Sequence, residues 1–162
     1  LMGQIADTRT ILKNALVGVS DTNSANSNIR IATNRAILGY TKRIGSLVGV
    51  EKDVIAFATS NSNSSGALAH VGPLRSLSLD ELGYGPAVVD VAVFMFKDKG
   101  RDQDWTDVDN FVEQVCYAIR AANYSSTNCL VPYRVTLESQ YWATEDTQGI
   151  LVQAYSVEFP DP

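Results

Sequence analysis

The sequence has few residues that bind metals: two cysteines and one histidine among 162 residues. A zinc site usually takes four Cys, His or carboxylate ligands, and neither Cys-x-x-Cys nor His-Glu-x-x-His occurs here. No stretch approaches the roughly 20 apolar residues of a membrane-spanning helix, and the first residues lack an apolar run of signal-peptide length. We therefore expect no metal, no membrane association, and an intracellular protein with reduced thiols.

Positive charge is also scarce. Thirteen Lys and Arg face eighteen Asp and Glu, which gives a net charge of −5 and a pI near 4.8. An acidic chain does not coat nucleic acid through bulk charge. Apolar residues make up 45% of the sequence, which is enough for the core of one domain of ordinary size. We expect a single domain over residues 1–162.

Motifs for catalysis are missing as well. There is no Gly-x-Ser-x-Gly elbow and no P-loop. The run Gly-Tyr-Gly-Pro at 83–86 holds two glycines of a dinucleotide fingerprint, but it precedes a strand and opens no helix, so it indicates a turn. The sequence thus predicts no catalytic residue, no cofactor and no metal ligand, and the protein is not expected to be an enzyme.

The stretch WTDVDNFVEQVCYAIRAANYSSTNC, residues 105–129, is acidic at its start and contains both cysteines. Thr106 suits a helix N-cap, and Asp109 stands where a capping-box carboxylate lies. Arg120 in the last turn complements the helix dipole. The spacing predicts an amphipathic helix over 107–122, with its apolar stripe formed by Val108, Phe111, Val112, Val115, Cys116 and Ile119.

The same acidic residues fit part of a calcium-loop pattern. The sixth position of that loop needs glycine and is Asp107 here, and a helix beginning near 107 would destroy the loop. Helix capping is therefore the preferred interpretation of the matching residues, which are Asp102, Asp104, Thr106, Asn110 and Glu113.

The two cysteines allow two further interpretations. A thiol nucleophile would need His70 as its base, but His70 is expected in a loop and Cys116 on the buried stripe, where thiols are usually inert. A disulfide between Cys116 and Cys129 stays open, although a reducing compartment disfavours it. We predict that Cys116 is buried and binds no metal.

The remaining elements are predicted from periodicity. Residues 4–17 form a second amphipathic helix, and 87–96 form a strand with Val89, Val91, Val93 and Met95 on one face. Two strands follow the helix at 107–122, over 133–142 and 150–159. Residues 53–60 read as a strand, 70–86 as an irregular connector or arm, and 29–50 fit strand and helix patterns equally. Short connections between consecutive strands favour an α+β fold with a mostly antiparallel β-sheet and both helices packed on one face of that sheet.

Charge is distributed unevenly along the chain. The region between Asp21 and Glu51 carries four bases and no acid, whereas the last 28 residues carry five acids and no base. One interpretation is an ordinary solvated surface, and the other is complementarity between subunits or partners. The candidate interface residues are Arg30, Arg35, Lys42, Arg43, Glu138, Glu145 and Asp146.

The order of segments resembles the tail terminator and tail-completion proteins of long-tailed bacteriophages. An N-terminal helix is followed by a long β region, a VVDVAVFMF strand, a DVDNFVEQVCYAIRAAN helix and the closing pair YRVTLESQYWATEDTQGILVQAYSVEF. In the family the closing strand begins with Gly-Ile, which is Gly149-Ile150 here, and runs to Phe159. The likeness covers 86–159 and, loosely, 4–19, and residues 20–66 would contain long interface loops or an arm.

The resemblance implies a virion protein assembled in the host cytoplasm. It would form a ring, usually a hexamer, that caps the tail tube protein and meets the head-side connector, with no enzymatic activity or cofactor. DNA would pass through the lumen without sequence reading, which an acidic lumen suits. Two alternatives stay open: another neck, tail-tube or baseplate component, and a small ligand-binding or enzymatic α+β domain with a concave pocket.

Overall fold

The structure, a computed structural model, describes residues 3–19, 31–38, 66–80, 83–96, 105–124, 129–142 and 150–159. These residues form two helices and five strands. In chain order they are α1 (Gln4–Leu16), β1 (Ile31–Leu38), β2 (Ala67–Asp80), β3 (Gly83–Phe96), α2 (Thr106–Ala121), β4 (Arg134–Trp142) and β5 (Ile150–Phe159).

The five strands form one sheet in the order β1-β2-β3-β5-β4. The pairs β2–β3, β3–β5 and β5–β4 are antiparallel, whereas β1 lies parallel to β2. The short return between β2 and β3 explains their antiparallel pairing, since a parallel pair needs a long crossover. The predicted α+β fold with a mostly antiparallel sheet is therefore confirmed.

Both helices pack on one face of this sheet. The predicted face of β3 is buried, and its side chains share a core cluster with Leu12 and Leu16 of α1 and with the stripe of α2. Each large apolar side chain in this layer contributes about 1.5–3 kcal/mol through burial. The buried stripe of α2 consists of Val108, Phe111, Val115 and Ile119. Both predicted helices agree with the structure to within one residue at each end.

The predicted capping box at the start of α2 is wrong. The N-cap is Trp105, and no side chain caps it. The amide of Asp109 donates to the carbonyl of Trp105 over 2.9 Å, so the helical hydrogen bonds already begin at Trp105 and Thr106 is the first helical residue. Near the other end, the Tyr124 hydroxyl donates to the Ile119 carbonyl over 2.8 Å.

Residues 70–86 were predicted as an irregular connector or an arm, and the irregular connector is wrong. Most of it belongs to β2, and Gly83 already begins β3. The register of β2 shifts between Val71 and Leu74 and twice more along the strand, and such bulges break the two-residue period that marks a strand. The Arg9 guanidinium of α1 donates to the carbonyls of Val71 and Gly72 at the first of these shifts.

The ambiguous region 29–50 is a strand as far as it is described, since β1 runs from Ile31 to Leu38. The predicted strand at 53–60 lies outside the described residues. So does most of the segment 20–66 in which interface loops were expected.

Candidate functional site

The structure places two of the seven predicted interface residues. Arg35 lies in β1 and Glu138 lies in β4, which are the two outer strands among those that the structure describes. The other five lie outside the described residues, namely Arg30, Lys42, Arg43, Glu145 and Asp146. The basic and acidic segments of the sequence thus each supply one residue to an opposite edge of one sheet.

Glu138 lies at an irregular point of β4, where the register against β5 shifts between Leu137 and Ser139. Its side chain is exposed, and its Oε1 accepts a hydrogen bond of 2.7 Å from the Ser156 hydroxyl. The bulge and this hydrogen bond hold the carboxylate on the sheet face opposite the helices.

Ion pairs surround Glu138 on this face. Arg75 of β2 pairs with Asp90 of β3 at 3.1 Å, and Arg134 of β4 pairs with Glu158 of β5 at 2.6 Å. Burial raises the pKa of the Asp90 carboxyl, and the positive charge of Arg75 offsets part of this increase. The hydrogen bond from Arg134 lowers the pKa of Glu158.

An open concavity of about 520 Å³ is lined by four charged residues, Arg75, Arg134, Glu138 and Glu158. Arg75 pairs with Asp90, Arg134 pairs with Glu158, and Glu138 accepts a hydrogen bond. Because these charges already pair with each other, the concavity is better suited to contact with another polar surface than to catalysis, which requires a charged group that can act on a substrate.

Four aromatic side chains and one valine line the border where α2 packs beside β4. This surface is called here the β4 border and is defined by Trp105, Tyr117, Val131, Tyr133 and Trp142. Tyr117 is 72% exposed, Val131 56% and Tyr133 50%. The Trp105 and Trp142 rings lie 6.2 Å apart at the other end of the border. Exposed aromatic residues are enriched in protein interfaces.

Tyr117 and Tyr133 belong to one shallow groove between α2 and the start of β4, together with Cys116, Arg120 and Val135. The guanidinium carbon of Arg134 lies 6.0 Å from the centre of the Tyr133 ring. Arg134 therefore connects the β4 border with the ion pairs on the sheet face opposite the helices.

The backbone of β4 adds a third feature to this surface. Among the described strands, only β5 pairs with β4. The outer edge of a strand presents N–H and C=O groups that can pair with another strand. The β4 border and this edge together form a surface suited to binding another chain.

The sequence prediction missed the β4 border, although one signal for it was present. Tyr117 falls outside the apolar stripe of α2, so a helical projection places this large aromatic residue on the solvent side. Tyr133 and Val131 carry no such signal, because they precede β4 in a segment without periodicity.

Both cysteines are free thiols, and no disulfide joins them. Cys116 is half-buried against the core and lines the groove beside Tyr117, so the prediction that it is buried is confirmed only in part. Its position on α2 next to the stripe, one residue from Tyr117, turns its side chain partly toward the surface. Burial and, next, the charge of Glu113 raise the pKa of the Cys116 thiol, which disfavours a reactive thiolate.

His70 is a buried residue of β2, so its predicted position in a loop is wrong. Its neighbours Ala69 and Val71 point into the helix-covered core, so His70 points to the opposite face of the sheet. The sheet therefore separates His70 from Cys116, and a Cys116–His70 pair cannot form. Burial and then the charge of Arg9 lower the pKa of His70 to about 4.

The calcium-loop interpretation does not fit the structure. Thr106–Ala121 is helical, so the last positions of the proposed loop, Asn110 and Glu113, lie on a helix. Asp102 and Asp104 lie outside the described residues. Within the described ranges, no group of three His, Cys, Asp or Glu side chains is arranged to hold a metal ion. Neither helix, α1 or α2, is long and apolar enough to cross a membrane.

Comparison with known proteins gives no indication of function, so the β4 border and the adjacent edge of β4 are the main evidence. No protein family model and no curated protein matches this chain. The order of the elements, the β4 border and the opposite placement of Arg35 and Glu138 are therefore the grounds for a functional proposal.

Proposed function

We propose that this protein is a structural subunit of a ring at the head–tail junction of a long-tailed bacteriophage, where it caps the tail tube as a tail terminator. The order of segments on which the resemblance rests corresponds to β3, α2, β4 and β5 of the structure. The main observation that supports the proposal is the β4 border, because an exposed aromatic surface beside an edge strand is suited to binding another chain.

The β4 border has the properties of an assembly surface. Tyr117 and Tyr133 expose large amphipathic side chains that lose little conformational entropy on binding, and such residues often dominate the energy of interfaces. The ion pairs beside them offer the polar rim that commonly surrounds an interface core.

The net charge of −5 suits the proposed path of DNA. A ring built from acidic subunits repels the phosphate backbone, so DNA passes through the lumen without binding to a particular sequence. The tail tube protein and the head-side connector would bind the two ends of this ring.

Substitution at the β4 border tests the assembly part of the proposal. Tyr117→Ser and Tyr133→Ser should shift the protein from a discrete oligomer to a monomer in light scattering after size exclusion. The control is Leu77→Ser, which removes an apolar side chain exposed to 36% on β2, away from this border. Circular dichroism melting shows whether each variant keeps its fold. A wild-type protein that stays monomeric at all concentrations would contradict the proposal.

Location in the particle tests the remaining part. Electron microscopy of virions carrying the labelled chain should show the label at the head–tail junction. Label along the tail or at the baseplate would instead identify another component of the same particle. A chain absent from particles, with a melting temperature that rises on adding a small ligand, would instead support a ligand-binding domain.

A further inference from the structure

Helix α2 carries opposite charges at the two ends of its exposed face. Asp109 and Glu113 are exposed in its first half, and Arg120 is exposed in its last turn. Tyr117, which is 72% exposed, lies between them. The spacing of three or four residues places these four side chains on one outer stripe, directed away from the stripe that packs against the sheet.

The charges of the outer stripe do not neutralise each other within one copy. Glu113 and Arg120 are about two turns apart, or about 11 Å along the helix axis at about 5.4 Å per turn. On a helix, the side chains that interact are three or four residues apart. Among the described residues, Asp109, Glu113 and Arg120 form no ion pair and no side-chain hydrogen bond. All three charges are therefore available to a second chain.

The basic end of the outer stripe borders the groove between α2 and the start of β4. This groove is open space of about 650 Å³ beside Tyr117 and Tyr133, and the charged residues among its described lining are Arg120 and Arg134. Arginine binds carboxylates through charge-assisted and often bidentate hydrogen bonds. Exposed tyrosine side chains are enriched in interfaces. The groove is therefore suited to an acidic segment that also carries an apolar or aromatic side chain.

The start of α2 has this chemistry. Asp109 and Glu113 present two carboxylates one turn apart, and Trp105, which is 38% exposed, is the N-cap of the same helix. These carboxylates lie too far along the helix to reach the groove of their own copy. Every copy carries both the acidic start and the basic groove, so a second copy of this chain provides the complementary surface.

We propose that neighbouring subunits join through α2, with the acidic start of α2 in one copy docked against the groove at the end of α2 in the next. Glu113 of one copy then faces Arg120 of the next, and Tyr117 and Tyr133 pack around this ion pair. The inference rests on the proposed function, because it takes the chain to assemble as a ring. The contact uses two different surfaces on each subunit, and such a heterologous interface closes into a ring when the rotation allows.

A charge exchange tests this contact without relying on loss of assembly alone. Glu113→Lys and Arg120→Glu should each raise the dissociation constant of the oligomer at least about tenfold, because like charges then meet at every junction. A 1:1 mixture of the two variants should recover assembly, since every junction between unlike copies pairs opposite charges. The double variant E113K/R120E should recover it in a single chain.

Native mass spectrometry gives the mass of each oligomer, and mass-labelled copies show whether the two variants alternate in the mixture. Lys13→Glu is the control charge reversal, because it lies on α1 and away from the groove, and it should leave assembly unchanged. Glu113→Gln removes the charge without reversing it and should weaken assembly less than Glu113→Lys does. Melting curves identify a misfolded variant, and recovery in the mixture shows that each variant is competent to assemble.

The outcomes separate this inference from the proposed function. A wild-type ring that both single variants form unchanged would overturn the α2 contact and leave the proposed function intact. Two weakened single variants that do not recover when mixed would show that Glu113 and Arg120 do not face each other, which also overturns the inference. A wild-type chain that stops at a dimer would indicate two-fold pairing of α2 with α2 and would overturn the inference as well. A wild-type chain that is monomeric throughout overturns both.

Discussion

Replacing Thr8 by valine tests how the first helix is attached to the rest of the fold. Thr8 is 1% exposed, and its hydroxyl accepts a hydrogen bond of 2.9 Å from the amide of Leu130, in the segment before β4. The same hydroxyl donates to the Gln4 carbonyl over 2.7 Å. Valine keeps the shape of threonine and leaves the buried Leu130 amide without this acceptor.

The expected loss follows from that amide. A buried donor left without a partner costs about 1–3 kcal/mol, and the lost bond to Gln4 adds little, because that carbonyl already lies within the helix. We expect Thr8→Val to lower the free energy of unfolding by about 2 kcal/mol. For a chain of this length, that corresponds to a fall of about 4–8 °C in the melting temperature.

Thr10→Val is the matched control on the same helix. Thr10 is exposed and makes the same kind of bond, to the Ala6 carbonyl at 3.2 Å, so its loss should change stability by less than about 0.5 kcal/mol. Urea unfolding followed by circular dichroism measures both variants. Hydrogen exchange should show faster exchange of the Leu130 amide in Thr8→Val alone. Equal stability of the two variants would refute this account of the attachment.

Three further substitutions concern buried polar groups. Because the folded pKa of His70 is lowered to about 4, the unfolded chain binds a proton first as the pH falls. The free energy of unfolding should therefore drop by up to about 3 kcal/mol between pH 6.5 and 4, and His70→Leu should flatten that part of the profile in urea titrations. Arg9→Met should cost about 1–3 kcal/mol, because the Gly72 carbonyl loses its donor, and NMR titration should show the pKa of His70 rising. Tyr155→Phe should cost about 1–2 kcal/mol in urea unfolding, because Gln153 Oε1 loses the Tyr155 hydroxyl at 2.9 Å. Wild-type stability in either of the last two variants would contradict the corresponding contact.

The sequence predicts those parts of the fold that have a regular period. The stripe of α2 and the alternating face of β3 follow from residue spacing alone. The predicted face of β3 is buried, and so are four of the six stripe residues, whereas Val112 and Cys116 are partly buried. Strand β2 was missed because Gly72, Pro73 and the register shifts interrupt its alternation. The predicted start of α2 is one residue too late, because Thr106 has the chemistry of an N-cap residue. The helical hydrogen bonds begin one residue earlier, at the carbonyl of Trp105.

The candidate surface was predictable only in part. The uneven charge pointed to Arg35 and Glu138, but pairing between strands distant in sequence decides which edge each one occupies. The parallel contact of β1 with β2 is such a pairing, and no local pattern encodes it. Tyr133 became a candidate only once β4 was known to be an outer strand beside α2.

The mass of the assembled wild-type protein tests the central claim most directly. Native mass spectrometry of the full chain should give one closed oligomer of fixed size, with six copies of the 17.6 kDa chain as the expected number. A monomer at every concentration, or a ladder of masses without a limit, would contradict a ring-forming subunit.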